Sequence, residues 1–210
     1  VEAFYTGEIA WAIDEFMREN GGYMRYEDLA AYEAIEREPV QGEYRGFTVL
    51  SSPPPVSGAV VVNMLNILEG FDLEVFRNDM TEYYHLLAEA MKLSFADYYD
   101  YIIDPDFGNT PIEELMSKEY AAERRGMIDF NQAIDDRRGG LGDIDIFGEL
   151  MEPEVLLAME LQDREEAMAQ GSTTHFVTGD AQGNIVSVTQ TISLFMGSQT
   201  VVPGTGILLN

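Results

Sequence analysis

The stretch GSTTHFVTGDAQGNIVSVTQT, residues 171–191, decides the fold. Residues 174–178 and 185–191 alternate or are β-branched, and GDAQGN at 179–184 between them is turn chemistry, so two antiparallel strands are predicted. Threonine is a good strand former, and propensity alone would account for its abundance here. Its position adds a chemical reading, because Thr173 stands where a long polar stretch meets a strand pair that is expected to be buried. A cut before that residue would expose a threonine whose own α-amino group, with an ordinary pKa of about 7.7–8.0, can serve its hydroxyl as a base. The cut needs no second enzyme. The Thr173 hydroxyl attacks the Ser172 carbonyl, the acyl group passes from nitrogen to oxygen, and water hydrolyses the ester.

Upstream, residues 6–19 place Ile9, Ile13, Phe16 and Met17 at helical spacing, and Asn20-Gly21-Gly22 ends that element. A short helix is expected over 25–32, and EYRGFTVLS at 43–51 reads as one strand stopped by Pro53-Pro54-Pro55. GAVVVNMLNILEG at 58–70 is apolar on nearly every side and predicts a buried helix. The longest helical pattern runs from 81 to 101 with Thr81 as its cap, and SKEYAAERRGMI at 117–128 predicts another short helix. His85, alone on the long helix, reads as a surface or packed residue rather than a ligand. DDRRGGLGDIDIFG at 135–148 has the composition of a linker, and 153–170 is read as helical or loosely ordered. No repeat of solenoid period is present, so one domain is expected.

The charge balance excludes one class of partner. With 38 acidic against 12 basic side chains, only Lys92 and Lys118 being lysines, there is no basic stripe for nucleic acid. The acidity reads as a solvated surface, with adaptation to salt as the sharper alternative. The absence of cysteine removes disulfides and thiolate nucleophiles, and two distant histidines, His85 and His175, make no metal cluster, so cofactor-free chemistry is expected. No run of eighteen apolar residues occurs, and the first residues lack the basic head of a secretory signal.

The chain resembles the γ-glutamyltranspeptidase family of N-terminal-nucleophile hydrolases. The likeness lies in NGGYMRYEDLAAYEAIEREPVQGEYRGFTVLSSPPPVSG at 20–58, NMLNILEGFDL at 63–73, AEAMKLSFADYYDYIIDPDF at 88–107, TTHFVTGDAQGNIVSVTQT at 173–191 and PGTGILLN at 203–210. Residues 131–170 show little of it. The resemblance implies an α+β fold, part of an αββα four-layer sandwich, here a helix-rich fragment with one core hairpin. It also implies that 1–130 is the C-terminal part of a large subunit, 131–172 a linker ending at an autoprocessing site, and 173–210 the start of a small subunit from the same precursor.

By the same resemblance, cleavage falls between Ser172 and Thr173, Thr173 is the nucleophile, and Thr191 carries the hydroxyl that bonds and activates it. His175 shares a strand face with Thr173 without being given a role. The implied reaction transfers a γ-glutamyl group from a glutathione-like amide to water or an amino acid through a threonine acyl-enzyme. Ser193 is a departure, standing where the family usually has an asparagine that helps hold the donor's α-amino end; a hydroxyl is shorter and makes fewer bonds. A related acylase, similar to the cephalosporin acylases, is therefore the alternative, and a catalytically silent truncated fragment is the non-enzymatic one. Tyr98 and Ile103, where arginine and glycine are common, read as packing changes. The resemblance further implies that the donor-clamping arginine precedes Val1 and the oxyanion-hole serines and glycines follow Asn210. The segment alone is then expected to be inactive, and the whole protein to be periplasmic or extracellular.

Overall fold

The computed structural model describes residues 1–78, 80–135, 138–147, 171–194 and 196–210, so the stretch 153–170 lies outside the described residues. In chain order the elements are helices α1 (Glu2–Tyr5), α2 (Glu8–Glu19) and α3 (Tyr26–Ala30), strands β1 (Val40–Tyr44) and β2 (Phe47–Ser51), and helix α4 (Gly58–Glu69). A 3₁₀ turn (Leu73–Asn78) leads to helices α5 (Met80–Tyr101), α6 (Ile112–Leu115) and α7 (Lys118–Arg125). Strands β3 (Gly171–Gly179), β4 (Ile185–Leu194), β5 (Val201–Val202) and β6 (Ile207–Leu208) follow. The strands pair as three antiparallel two-stranded sheets, β1–β2, β3–β4 and β5–β6, which makes the chain α+β and helix-rich as expected. Among the described residues no helix is long and apolar enough to cross a membrane.

Two compact units form, Val1–Ile35 with Leu157–Asn210, and Glu36–Leu156, where the composition had pointed to one domain. This division follows packing and is separate from the covalent one expected at 172/173. In the first unit α2 turns Ala10 and Ile13 inward, one helical turn apart, against Leu29 and Val202. Trp11 stacks on Tyr26 at 4.0 Å between ring centres. The β3–β4 hairpin departs from expectation, because its side chains over 173–193 are exposed or half-buried; Phe176 is 44% and Ile185 72% exposed. A two-stranded ribbon covers neither of its own faces.

The second unit is built around α4, which is buried on most sides as its sequence predicts: Ala59, Val60, Val62, Ile67 and Leu68 are all buried. Ile67, Leu86, Ala90, Leu93 and Ala121 make the shared core of α4, α5 and α7. The expected strand at 43–51 is instead a hairpin. Arg45 and Gly46 form a two-residue turn with φ of 51° and 84°, and Tyr44 pairs directly with Phe47. Positive φ at both central positions is what a tight hairpin turn with the correct twist requires; arginine is an unusual first residue for it, and the break in the strand is hidden by that choice. The long helix begins at Met80, so Thr81 lies inside its first turn and is not its cap. Ser117 caps α7 by accepting the Tyr120 N–H at 3.1 Å.

Residues 138–147, linker by composition, are anchored at Gly139, Gly140 and Ile146. The Gly139 N–H donates to Asp100 at 2.6 Å, the Gly140 N–H to Asp97 at 3.0 Å, and Ile146 is buried with Tyr101, Leu115 and Tyr120. Glycine is required for this closeness, since a Cβ at Gly139 would come within 2.1 Å of the Tyr101 ring. Asp97 is the hub: it pairs with Arg124 at 3.1 Å and accepts from Tyr120 at 2.6 Å and from Asn63 at 2.9 Å. Burial pushes the Asp97 carboxyl up against the pull of those donors. Burial and the bond to Asp97 push the Tyr120 hydroxyl up as well, so it stays protonated and donates. Both lysines are structural. Lys92 bonds the buried Glu89 at 2.8 Å, and Lys118 joins Glu69 with the Asn66 side chain and the Glu43 carbonyl.

Candidate active site

The site begins at the turn of the β3–β4 hairpin. Asp180 accepts the N–H groups of Gln182 and Asn184, each at 2.9 Å, and the Asn184 side-chain amide at 2.7 Å. Those bonds, the side chain of Asn184 first among them, hold the Asp180 carboxyl below its ordinary range. Gly183 supplies the positive φ of 89° that closes the loop. The closing pair is Gly179 with Ile185, and the ladder then runs without a slip to Thr173 opposite Thr191. Loop length alone therefore sets these two residues against each other.

At that rung the Thr173 hydroxyl donates to Thr191 Oγ1 at 3.0 Å. On the same face, one step toward the turn, His175 Nδ1 lies 2.7 Å from Thr189 Oγ1 and Nε2 lies 3.3 Å from Ser187 Oγ. The imidazole is thus engaged by two partner-strand hydroxyls. Just beyond Thr173 the register breaks: Ile192 and Ser193 stand on β4 against Ser172 alone on β3 before Gly171 meets Leu194. This is a β-bulge, a feature common beside active sites. Ser193 sits in it at φ 61°, and its backbone N–H donates to Thr191 Oγ1 at 2.9 Å.

The structure thus brings together Ser172, Thr173, Thr191 and Ser193 within two rungs. The bulge and the Ser193 N–H escape sequence reading, because a bulge is a relation between two strands; the unbroken threonine-rich run of β4 carries no mark of it. His85 lies in the second unit, where its Nε2 donates to the Asp129 carbonyl at 2.9 Å, an acceptor that fixes the proton on that nitrogen. Tyr98 lies edge-on to Tyr99, and Ile103 packs against the Tyr101–Ile146 cluster. Among the described residues no three His, Cys, Asp or Glu side chains gather as a metal site.

The chain belongs to the γ-glutamyltranspeptidase family, whose model, described as Gamma-glutamyltranspeptidase, matches residues 1–210. It is 38% identical over 210 residues to the acylase ACY 1 proenzyme of Pseudomonas sp. (strain SE83) and equally to the glutathione hydrolase proenzyme of Escherichia coli (strain K12). Each match takes in the whole chain and 33% of the relative, so the chain spans about a third of the length of the curated relatives it matches. Among solved structures it is similar to the cephalosporin acylase from Bacillus halodurans, with a TM-score of 0.74 and 34% identity over 99% of this chain and 32% of that one. It is also similar to the γ-glutamyltranspeptidase of Helicobacter pylori, with a TM-score of 0.60 and 34% identity over 69% of this chain and 42% of that one.

Proposed function

We propose that this chain is part of a γ-glutamyltransferase or glutathione hydrolase precursor that cleaves itself between Ser172 and Thr173. The observation that carries the reading is the 3.0 Å contact between the Thr173 and Thr191 hydroxyls. Propensity explains two threonines on facing strands but gives no preference for their meeting at the residue where cleavage would free an amine. Thr191 Oγ1 holds the Thr173 proton to one side, which leaves a lone pair of Thr173 Oγ1 to attack the Ser172 carbonyl carbon. The C–N bond breaks as its nitrogen takes the proton, an ester forms, and water splits it into the Ser172 carboxylate and a free Thr173 with amine and hydroxyl restored.

In the processed enzyme the same oxygen attacks the γ-carbonyl of a glutathione-like donor. The Thr173 amine accepts the hydroxyl proton and passes it to the leaving amine; water or an amino acid amine then takes the γ-glutamyl group from the acyl-enzyme. The proenzyme names of the relatives support the first step, and the four-layer αββα sandwich belongs to the same proposal, with β3–β4 opening one of its sheets.

The acylase reading has its own support in Ser193, whose single hydroxyl replaces an amide, and in the equal identity to an acylase proenzyme and a glutathione hydrolase proenzyme. One experiment separates the readings. The full-length precursor is purified, its chains are weighed by mass spectrometry, and turnover is compared on γ-glutamyl p-nitroanilide and glutaryl p-nitroanilide, which differ only in the α-amino group. Two chains, the second beginning at Thr173, with preference for the γ-glutamyl amide, are expected. Preference for the glutaryl amide selects the acylase, and one unbroken chain with neither hydrolysed selects the silent protein.

A further inference from the structure

Ser193 occupies a backbone conformation that an L-residue with a Cβ adopts at a cost, at φ 61° in the left-handed region. The β-bulge opposite Ser172 imposes it. The same bend turns the Ser193 N–H back onto Thr191 Oγ1 at 2.9 Å. A backbone N–H can only donate, so it occupies one lone pair of the Thr191 hydroxyl whatever the neighbouring protons do. That hydroxyl accepts the Thr173 proton with its remaining lone pair, and its rotation about the Cβ–Oγ bond is limited accordingly.

We infer that position 193 serves the reaction through its backbone: the left-handed bulge and the Ser193 N–H orient Thr191 toward Thr173, making Ser193 a positioning residue for the hydroxyl pair. The inference rests on Thr173 being the nucleophile and differs from the expectation that the Ser193 side chain touches the donor. It also ranks the residues position 193 accepts. Glycine has no Cβ to strain and asparagine tolerates the left-handed region, whereas alanine resists it and a β-branched residue resists it most.

The test uses the full-length precursor with Ser193→Gly, Ser193→Asn, Ser193→Ala and Ser193→Val. The rate at which cleaved chains appear is measured first, then kcat and KM of the processed enzyme on γ-glutamyl p-nitroanilide. Gly and Asn are expected to exceed Ala by about fivefold in cleavage and in kcat, equal to ~1 kcal/mol, with Val slowest and KM alike for Gly and Ala. Equal Gly and Ala rates, with KM raised in both and cleavage unaffected, would assign the position to side-chain contact and overturn the inference. If Val does not fold, as judged by circular dichroism, the Gly–Ala comparison decides alone. An uncleaved wild-type precursor removes the proposed function and this inference together; a cleaved wild type with Gly matching Ala removes only the inference.

Discussion

Thr173 and Thr191 face each other across the β3–β4 ladder with their hydroxyl oxygens 3.0 Å apart, at the last regular rung before the bulge. Thr191→Val keeps the shape of the side chain and removes the oxygen. In the full-length precursor it should slow appearance of the cleaved chains by about 10²-fold, the lower end of what a positioned proton acceptor contributes. Thr191→Ser should retain most of the rate, and Thr173→Ala none of it. A time course on denaturing gels reads all three.

Glu89 should govern part of the acid stability. Burial pushes its carboxyl up, but the Lys92 ammonium and the Ile134 N–H outweigh this and hold it below the ordinary 4.5. A folded-state pKa below the unfolded one gives stability that is present above about pH 4.5 and is lost as the pH falls through the lower value. Glu89→Gln should therefore melt lower at pH 7 and lose less on acidification, so that the two melting curves converge toward pH 3. Parallel curves across that range would contradict the assignment.

The β1–β2 turn gives a backbone test. Gly46 sits at φ 84°, where a Cβ is strained although nothing lies within 4 Å of it. Gly46→Ala should cost ~1 kcal/mol, or about 2–4 °C in Tm for a chain of this size. Because the site is open, packing contributes nothing to that loss.

Salt should stabilise the chain. A net charge of −26 repels itself in the compact state, and raising ionic strength from about 0.01 to 1 M shortens the screening length from roughly 30 to 3 Å. Tm should climb by several degrees over that range in sodium chloride, and an uncharged osmolyte tested at equal osmolality should not reproduce the dependence.

The hairpin was legible because alternation marks its strands and Asp180, Gly183 and Asn184 mark its loop; once the closing pair is fixed, the threonine rung follows from counting. The buried helix α4 was legible because an apolar surface on every side has no solvent-facing solution. Two segments misled for one reason, that composition was taken for environment. Arg45 broke a strand that its neighbours continued, and the glycines of 138–147 read as freedom when Gly139 and Gly140 bring backbone N–H groups against Asp100 and Asp97. The bulge at Ser193 could not be read at all, since it exists only in the offset between β3 and β4.

The pairing of Lys92 with Glu89 and of Lys118 with Glu69 has a practical corollary for labelling. These are the only two side-chain amines between Val1 and Asn210, and both are engaged with carboxylates. An N-hydroxysuccinimide biotin ester applied at pH 7 would find at position 173 an α-amine, less basic than an ordinary lysine, only if the backbone had opened before Thr173. Peptides recovered on streptavidin would then report the event chemically, without any turnover assay.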